Sequence, residues 1–150
     1  MTRIEDLSVL AADESLDGLT WSILGQTYRP KQLTDDSFAW HAVLPPGTFV
    51  PPHIHPTQNE YLYVLSGSLD IWLEGETSPA GAGDLVRLAM GRPHGIYNNG
   101  EETATVLFWV APTRRLFELF QGIHALEPQT GEAVAKLAAE YEVNFLPPPE

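Results

Sequence analysis

The chain has 150 residues and no cysteine, and its 20 acidic residues outnumber 8 lysines and arginines, giving a formal net charge of −12. This length suits one domain with its own hydrophobic core. The negative charge argues against a nucleic-acid partner and an anionic membrane surface, because both attract clustered cations. The absence of cysteine excludes disulfides, thiolate nucleophiles and cysteine-ligated metal sites.

The first 18 residues are mixed and acidic, which predicts an N-terminal arm over residues 1–18. Acidic residues stand near the start, where a secretion signal needs basic and then apolar ones. No segment approaches the roughly 20 consecutive apolar residues of a membrane-spanning helix. We therefore expect a cytoplasmic protein that has no membrane partner.

Short strand-like segments, separated by glycine and proline turns, fill residues 19–112. This spacing predicts an all-β antiparallel sandwich or barrel. The predicted strands are 20–24, 38–44, 49–55, 61–66, 69–74, 84–88, 95–98 and 103–110. Between two of them, Gly67 and Ser68 predict a tight hairpin turn.

The last part of the chain, residues 113–150, has a different pattern and is predicted to be a helical extension of the same domain. Apolar residues recur at spacings of three and four over 113–125 and over 132–141, which indicates two helices. Thr130 is positioned to cap the second helix. The proline-rich end over 145–149 is expected to be extended, because successive prolines cannot continue a helix.

Two histidines and a glutamate stand close together in the strand region. His53 and His55 are two residues apart, so in a strand both side chains project from the same face. Glu60 opens the next predicted strand, and if it faces inward then Leu62 and Val64 do as well. An unpaired carboxylate among apolar residues is costly, and coordination to a metal relieves that cost. The pattern therefore indicates a metal site.

The residues around this site resemble the two motifs of the cupin superfamily. The spacing of the first motif is met by five residues: Gly47, His53, His55, Glu60 and Gly67. The spacing of the second is met by four: Gly83, Gly91, His94 and Asn98. Ala89 departs from the usual proline, at a position that shapes a turn and ligates nothing.

The resemblance implies a double-stranded β-helix, the cupin or jelly-roll barrel, over residues 19–112. It also implies a divalent transition metal held by four ligands: His53, His55, Glu60 and His94. Spacing alone does not reach His94, which the resemblance supplies. Three imidazoles and one carboxylate suit Fe, Mn, Ni, Co, Cu or Zn and do not choose among them.

A looser resemblance, to small bacterial cupins of the quercetin dioxygenase-like kind, implies an oxidoreductase. Its substrates would be O2 and a small enol or phenol, with Glu60 as the catalytic group that accepts the substrate proton. The same four ligands also resemble those of cupin isomerases, lyases and decarboxylases. A cupin that binds a small ligand without catalysis is the remaining alternative.

Residues near the ligands have narrower expected roles. Arg92, beside His94, is expected to meet a substrate anion, with a solvated surface arginine as the alternative. Gln58 is expected to contact substrate or to support a ligand. Exposed aromatic residues on the strands, including Tyr61 and Tyr63, favour a homodimer contact. His41 is expected to lie outside the metal site.

Overall fold

The computed structural model describes residues 8–147, which form two antiparallel sheets facing each other and two short helices. The strands are β1 (Trp21–Ile23), β2 (Gln26–Leu33), β3 (Phe38–Leu44), β4 (Phe49–Ile54), β5 (Asn59–Ser66), β6 (Ser68–Leu73), β7 (Glu76–Gly81), β8 (Leu85–Leu88), β9 (His94–Tyr97), β10 (Ala104–Ala111) and β11 (Asn144–Phe145). The helices are α1 (Leu116–Ala125) and α2 (Gly131–Ala139). Sheet A has the order β1-β2-β3-β10-β5-β8, and sheet B has the order β11-β4-β9-β6-β7. This architecture confirms the predicted double-stranded β-helix.

The core lies between the sheets because the strands bury every second residue. In β3 and β10 buried and half-buried residues alternate along the whole strand. In β5, Glu60, Leu62 and Val64 are buried as predicted, whereas Tyr63 is 41% exposed on the outer face. Tyr61 stacks on Trp109 on that outer face. The homodimer contact expected there stays a prediction.

Besides the two-residue β11, which lies where only an extended segment was predicted, two strands escaped the sequence interpretation. Strand β2 contains Pro30, and its pairing with β3 shifts register between Pro30 and Gln32, so its alternation is interrupted. Strand β7 is polar, mostly exposed and contains Pro79, which suits an edge strand of sheet B. Both strands are defined by pairing with a neighbour more than by their own composition.

The predicted hairpin at Gly67 is wrong. Strand β5 ends at Ser66 in sheet A and β6 begins at Ser68 in sheet B, so Gly67 forms a corner between the two sheets. Its φ of +76° favours glycine, and an added Cβ would lie 2.8 Å from the Cα of Ala104. The dipeptide marks a change of direction but does not say which sheet the next strand joins.

The C-terminal helices close one side of the barrel. Helix α1 buries five apolar residues, among them Leu119 and Phe120, and Thr130 caps α2 by accepting a hydrogen bond from Ala133 N at 3.1 Å. The Gln129 side chain bonds to the backbone of Ser22 and Leu24, beside β1. None of the helices in this part of the chain is long and apolar enough to cross a membrane.

Both ends of the chain are described in part. The predicted N-terminal arm includes residues 1–7, which lie outside the described residues, and a short 3-10 turn at Leu16–Gly18 precedes β1. At the other end, β11 confirms an extended conformation at residue 145 and pairs with β4. The predicted extended segment beyond residue 147 is likewise outside the described range.

Candidate metal centre

Three strands from both sheets bring four potential ligands together. His53 lies on β4, directly opposite His94 at the start of β9, and His55 follows one residue after β4 ends. Glu60 projects toward them from β5 in the facing sheet. One donor atom from each residue lies within 4.8 Å of the others, and the residues are between 1% and 4% exposed. The structure therefore joins the sequence neighbours His53, His55 and Glu60 to the distant His94.

Each of the three imidazoles is oriented through its Nδ1 atom. The Nδ1 of His53 lies 2.8 Å from the carbonyl oxygen of Pro51, and that of His94 lies 3.3 Å from the carbonyl oxygen of Arg92. The Nδ1 of His55 lies 2.8 Å from Oε1 of Gln58. An oxygen acceptor at Nδ1 requires the proton to be there, so Nε2 of each neutral ring carries a free lone pair. These contacts prepare three Nε2 atoms as ligands.

An unpartnered atom at the centre of the cluster fits a bound cation. Within residues 8–147, Nε2 of His94 is buried and has no hydrogen-bond partner. Nε2 of His55 lies 3.0 Å from Oε1 of Glu60. Buried polar atoms are nearly always satisfied, and a lone pair without a donor is relieved by a metal ion. Three nitrogens and one carboxylate could hold a divalent transition metal, whose identity they leave open.

The pKa values of two of the three histidines, His53 and His94, favour neutral ligands. Burial, with repulsion from His55, lowers the pKa of His94 to about 3. Burial, with repulsion from the two other histidines, lowers the pKa of His53 well below its usual range. Burial alone would lower the pKa of His55, but the charge and hydrogen bond of Glu60 outweigh it and raise that pKa. His53 and His94 thus bind a cation at neutral pH without first losing a proton.

Gln58 is buried and its amide contacts protein groups, while the substrate contact expected for it stays a prediction. It is 3% exposed, and its Oε1 accepts from Nδ1 of His55. Its Nε2 donates to the carbonyl oxygens of Pro112 at 3.1 Å and Thr113 at 2.8 Å. Every polar atom of the amide is therefore engaged, and Gln58 positions His55. This was the supporting role expected as the alternative for it.

A small, mostly apolar cavity of about 50 Å³ lies beside the ligands. His53 and Glu60 form part of its wall. The other lining residues are Ile23, Leu24, Tyr28, Trp40, Val50, Ile96, Phe108, Leu116, Leu119, Phe120, Ile123, Val134, Val143 and Phe145. Tyr28 and Trp40 were not identified from the sequence as site residues, since each resembles an ordinary inward residue of an alternating strand.

A second, open cleft of about 420 Å³ is lined in part by His94. Arg92 lines this cleft and not the apolar cavity, and its guanidinium is paired with the carboxylate of Glu74. Its side chain is 65% exposed. Arg92 therefore lies at the surface beside His94, with its charge paired to Glu74, and the contact with a substrate anion expected for it stays a prediction.

The other histidines of the described strands and helices lie apart from this cluster. His41 projects from the outer face of β3, opposite in parity to the buried Trp40 and Ala42. His124 accepts a hydrogen bond from the backbone N–H of Ser22 at 2.9 Å. Both serve as reference histidines for experiments on the cluster.

Comparison with known proteins supports the same fold and finds relatives that match over part of the chain. Residues 40–110 match the Cupin_2 family, a cupin domain. Polyketide synthase CurC of Streptomyces cyaneus is 34% identical over 71 residues, which are 47% of this chain and 46% of that protein. Tetracenomycin polyketide synthase protein TcmJ of Streptomyces glaucescens is 35% identical over 75 residues, half of each chain. The chain thus spans about half the length of these curated relatives.

Solved structures agree on the architecture. The structure of KdgF from Halomonas sp. superposes with a TM-score of 0.62 at 22% sequence identity. The superposition covers 71% of this chain and 99% of that one. At this level of identity the likeness shows the fold alone.

Proposed function

This chain is a cupin over residues 40–110, and from that premise we propose that it is a metal-dependent enzyme acting on a small molecule. The observation that carries the proposal is the buried convergence of His53, His55, Glu60 and His94, with Nε2 of His94 unpartnered within the described chain. A cavity beside these ligands gives a substrate a place to reach them. Open space next to a ligand set is typical of catalytic sites, since structural metal sites are closed by protein ligands.

The proposed substrate is a mainly apolar enol or phenol. The cavity walls are aliphatic and aromatic, which favours a ligand with a hydrocarbon or aromatic body. The two Streptomyces relatives are named as polyketide synthase proteins, and this supports a related substrate class for this chain.

The proposed roles divide between the ligands and the cavity wall. A bound divalent metal would act as a Lewis acid toward a substrate oxygen and, if redox-active, would support reaction with O2. Glu60 lines the cavity, so its carboxylate can accept the proton of the substrate hydroxyl. The surrounding apolar residues exclude water from the resulting oxyanion. As the specific reaction, we propose a quercetinase-like dioxygenation of this activated enol or phenol.

The metal part of the proposal is tested by elemental analysis of gently purified protein. We expect about one transition metal per chain in the wild type and much less in His94→Ala. The matched control is His41→Ala, which removes a histidine from the outer face of the same barrel. Metal absent from the wild type even after reconstitution, or retained equally in His94→Ala, would refute the metal site.

The reaction type is tested by oxygen uptake with flavonols, catechols and β-diketones. Wild type should consume O2 with at least one of these classes, and Glu60→Gln should not. Turnover that continues under strict anaerobiosis would refute the dioxygenase and assign an isomerase, lyase or decarboxylase. Binding without turnover would assign a ligand-binding cupin.

A further inference from the structure

Two buried hydrogen-bond donors near the cavity have no partner within residues 8–147, and the metal site explains neither. They are the indole Nε1 of Trp40 and the amide Nε2 of Gln26, in residues that are 2% and 1% exposed. An unsatisfied buried donor costs free energy, and native proteins keep few of them. Gln26 accepts a hydrogen bond from the Tyr28 hydroxyl at 2.8 Å but does not itself line the cavity. Of these two donors, the one that belongs to a residue lining the cavity is that of Trp40.

Trp40 stands on the wall of the same cavity as two metal ligands. Trp40 lines the cavity together with His53 and Glu60. Its ring is held firmly, since it stacks on Phe108 with an interplanar angle of 6° and meets Phe120 edge-on at 5.0 Å. The ring is therefore held where its N–H has no partner among residues 8–147, and a ligand in the cavity that Trp40 lines would supply one.

The chemistry of the wall selects the kind of group that Trp40 can take. Indole Nε1 is a donor only, so the ligand must present an acceptor. No lysine or arginine lines the cavity among the residues that the structure describes, so the wall offers no charged partner to a carboxylate or phosphate. A neutral oxygen, as in a ketone carbonyl, fits both conditions.

We infer that Trp40 is a ligand-binding residue whose indole N–H donates a hydrogen bond to a neutral carbonyl oxygen of an apolar ligand in this cavity. The inference rests on the proposed function only in taking the cavity as the substrate site. It adds a second anchor to the ligand, distinct from any oxygen held at the histidine and glutamate cluster. It also sets a preference for ketone-bearing substrates over anionic ones.

The size of the cavity decides the probe. Its volume of about 50 Å³ is far below the roughly 300–1,000 Å³ of most small-molecule sites. A large polycyclic substrate would fit only if residues of the cavity wall moved, among them Val134 and Phe145 of the C-terminal segment. A compact ketone tests the carbonyl contact with the least displacement of that wall, and we choose cyclopentanone.

The experiment follows the four indole N–H signals of full-length protein labelled with ¹⁵N-tryptophan. Trp40→Phe identifies the signal of Trp40, and single phenylalanine variants at Trp21, Trp72 and Trp109 assign the others. Cyclopentanone is titrated into metal-free protein and, separately, into Zn²⁺-loaded protein. Cyclopentanecarboxylate, tested on metal-free protein, is the anionic comparison of similar size.

We expect cyclopentanone to move the Trp40 signal downfield in both forms and the other three signals much less. Trp40→Phe should weaken cyclopentanone binding about fivefold, the value of one neutral hydrogen bond. Trp109→Phe, on the outer face, should leave binding unchanged. Cyclopentanecarboxylate should bind more weakly than the ketone.

The inference is overturned if cyclopentanone leaves the Trp40 signal in place, whether it binds elsewhere or not at all. Because the shift is measured on wild type, the result stands even if Trp40→Phe does not fold. A protein that binds no metal yet shows the shift would remove the proposed enzyme and keep this contact. A metal-binding protein without the shift would do the reverse.

Discussion

Replacing Gln58 tests two roles of this residue separately: holding the candidate ligand His55 and stabilising the fold. The amide accepts from Nδ1 of His55 and donates to the carbonyl oxygens of Pro112 and Thr113. Gln58→Leu keeps a similar volume but removes all three hydrogen bonds. At a net value of about 1 kcal/mol each, the free energy of unfolding of the metal-free protein should fall by about 3 kcal/mol.

The same change should weaken metal binding. Without the oxygen of Gln58, the ring of His55 loses the contact that fixes its orientation and keeps its proton on Nδ1. Loss of such a supporting hydrogen bond typically lowers metal affinity by about 10–100-fold. Zn²⁺ affinity measured by competition with a chelator at neutral pH, under conditions where the variant is folded, gives this value.

Gln58→Glu is the matched control. Its carboxylate can still accept from Nδ1 of His55, so Zn²⁺ affinity should stay close to that of wild type. It cannot donate to the two carbonyl oxygens, so urea denaturation should show a clear loss of stability. Wild-type Zn²⁺ affinity in Gln58→Leu, or an equal loss of affinity in both variants, would refute the positioning role.

Three further predictions concern the fold around the site. The pKa of His94 in the folded, metal-free protein is lowered to about 3, so between pH 7.5 and 5 this histidine takes up a proton only in the unfolded chain. The free energy of unfolding should therefore fall by about 2 kcal/mol over this range because of His94. Urea midpoints at both pH values should show a smaller loss in His94→Asn, and equal losses would contradict the cause. Gly67→Ala should destabilise by about 2 kcal/mol or more, because its Cβ meets backbone as well as a positive φ. Gly75→Ala, also at positive φ but in open space, should cost less in the same assay, and an equal cost would exclude the close contact. Thr130→Ala should cost about 1 kcal/mol by losing the cap of α2, and Thr130→Ser should restore most of it in thermal unfolding; no loss in alanine would argue against the cap.

The fold could be predicted from the sequence where a strand carries its own alternation. Strand β3 was predicted with its observed bounds because it buries every second residue. Strand β7 could not be predicted this way, since its exposed residues form a strand through pairing with β6. The hairpin predicted at Gly67 was wrong for a related reason: a local turn signal does not indicate which sheet the next strand joins.

The candidate site followed the same division. The two-residue periodicity of a strand placed His53 and His55 together, and the parity of β5 turned Glu60 inward. The spatial neighbour His94 came from the motif resemblance alone, because no local pattern reaches across some forty residues of chain. The sequence could not predict that the indole N–H of Trp40 has no hydrogen-bond partner, because this depends on where every acceptor in the folded chain lies.

The cavity wall and the candidate metal ligands come from different parts of the chain. All four candidate ligands lie inside the matched segment 40–110, but most of the cavity wall comes from residues before and after it. Ile23 and Tyr28 precede that segment, and α1, α2 and β11 follow it. Changes in the flanking segments would therefore alter most of the cavity wall and leave all four candidate ligands in place. A chimera that exchanges only those flanks with another cupin would separate the cavity wall from the candidate metal centre in one protein.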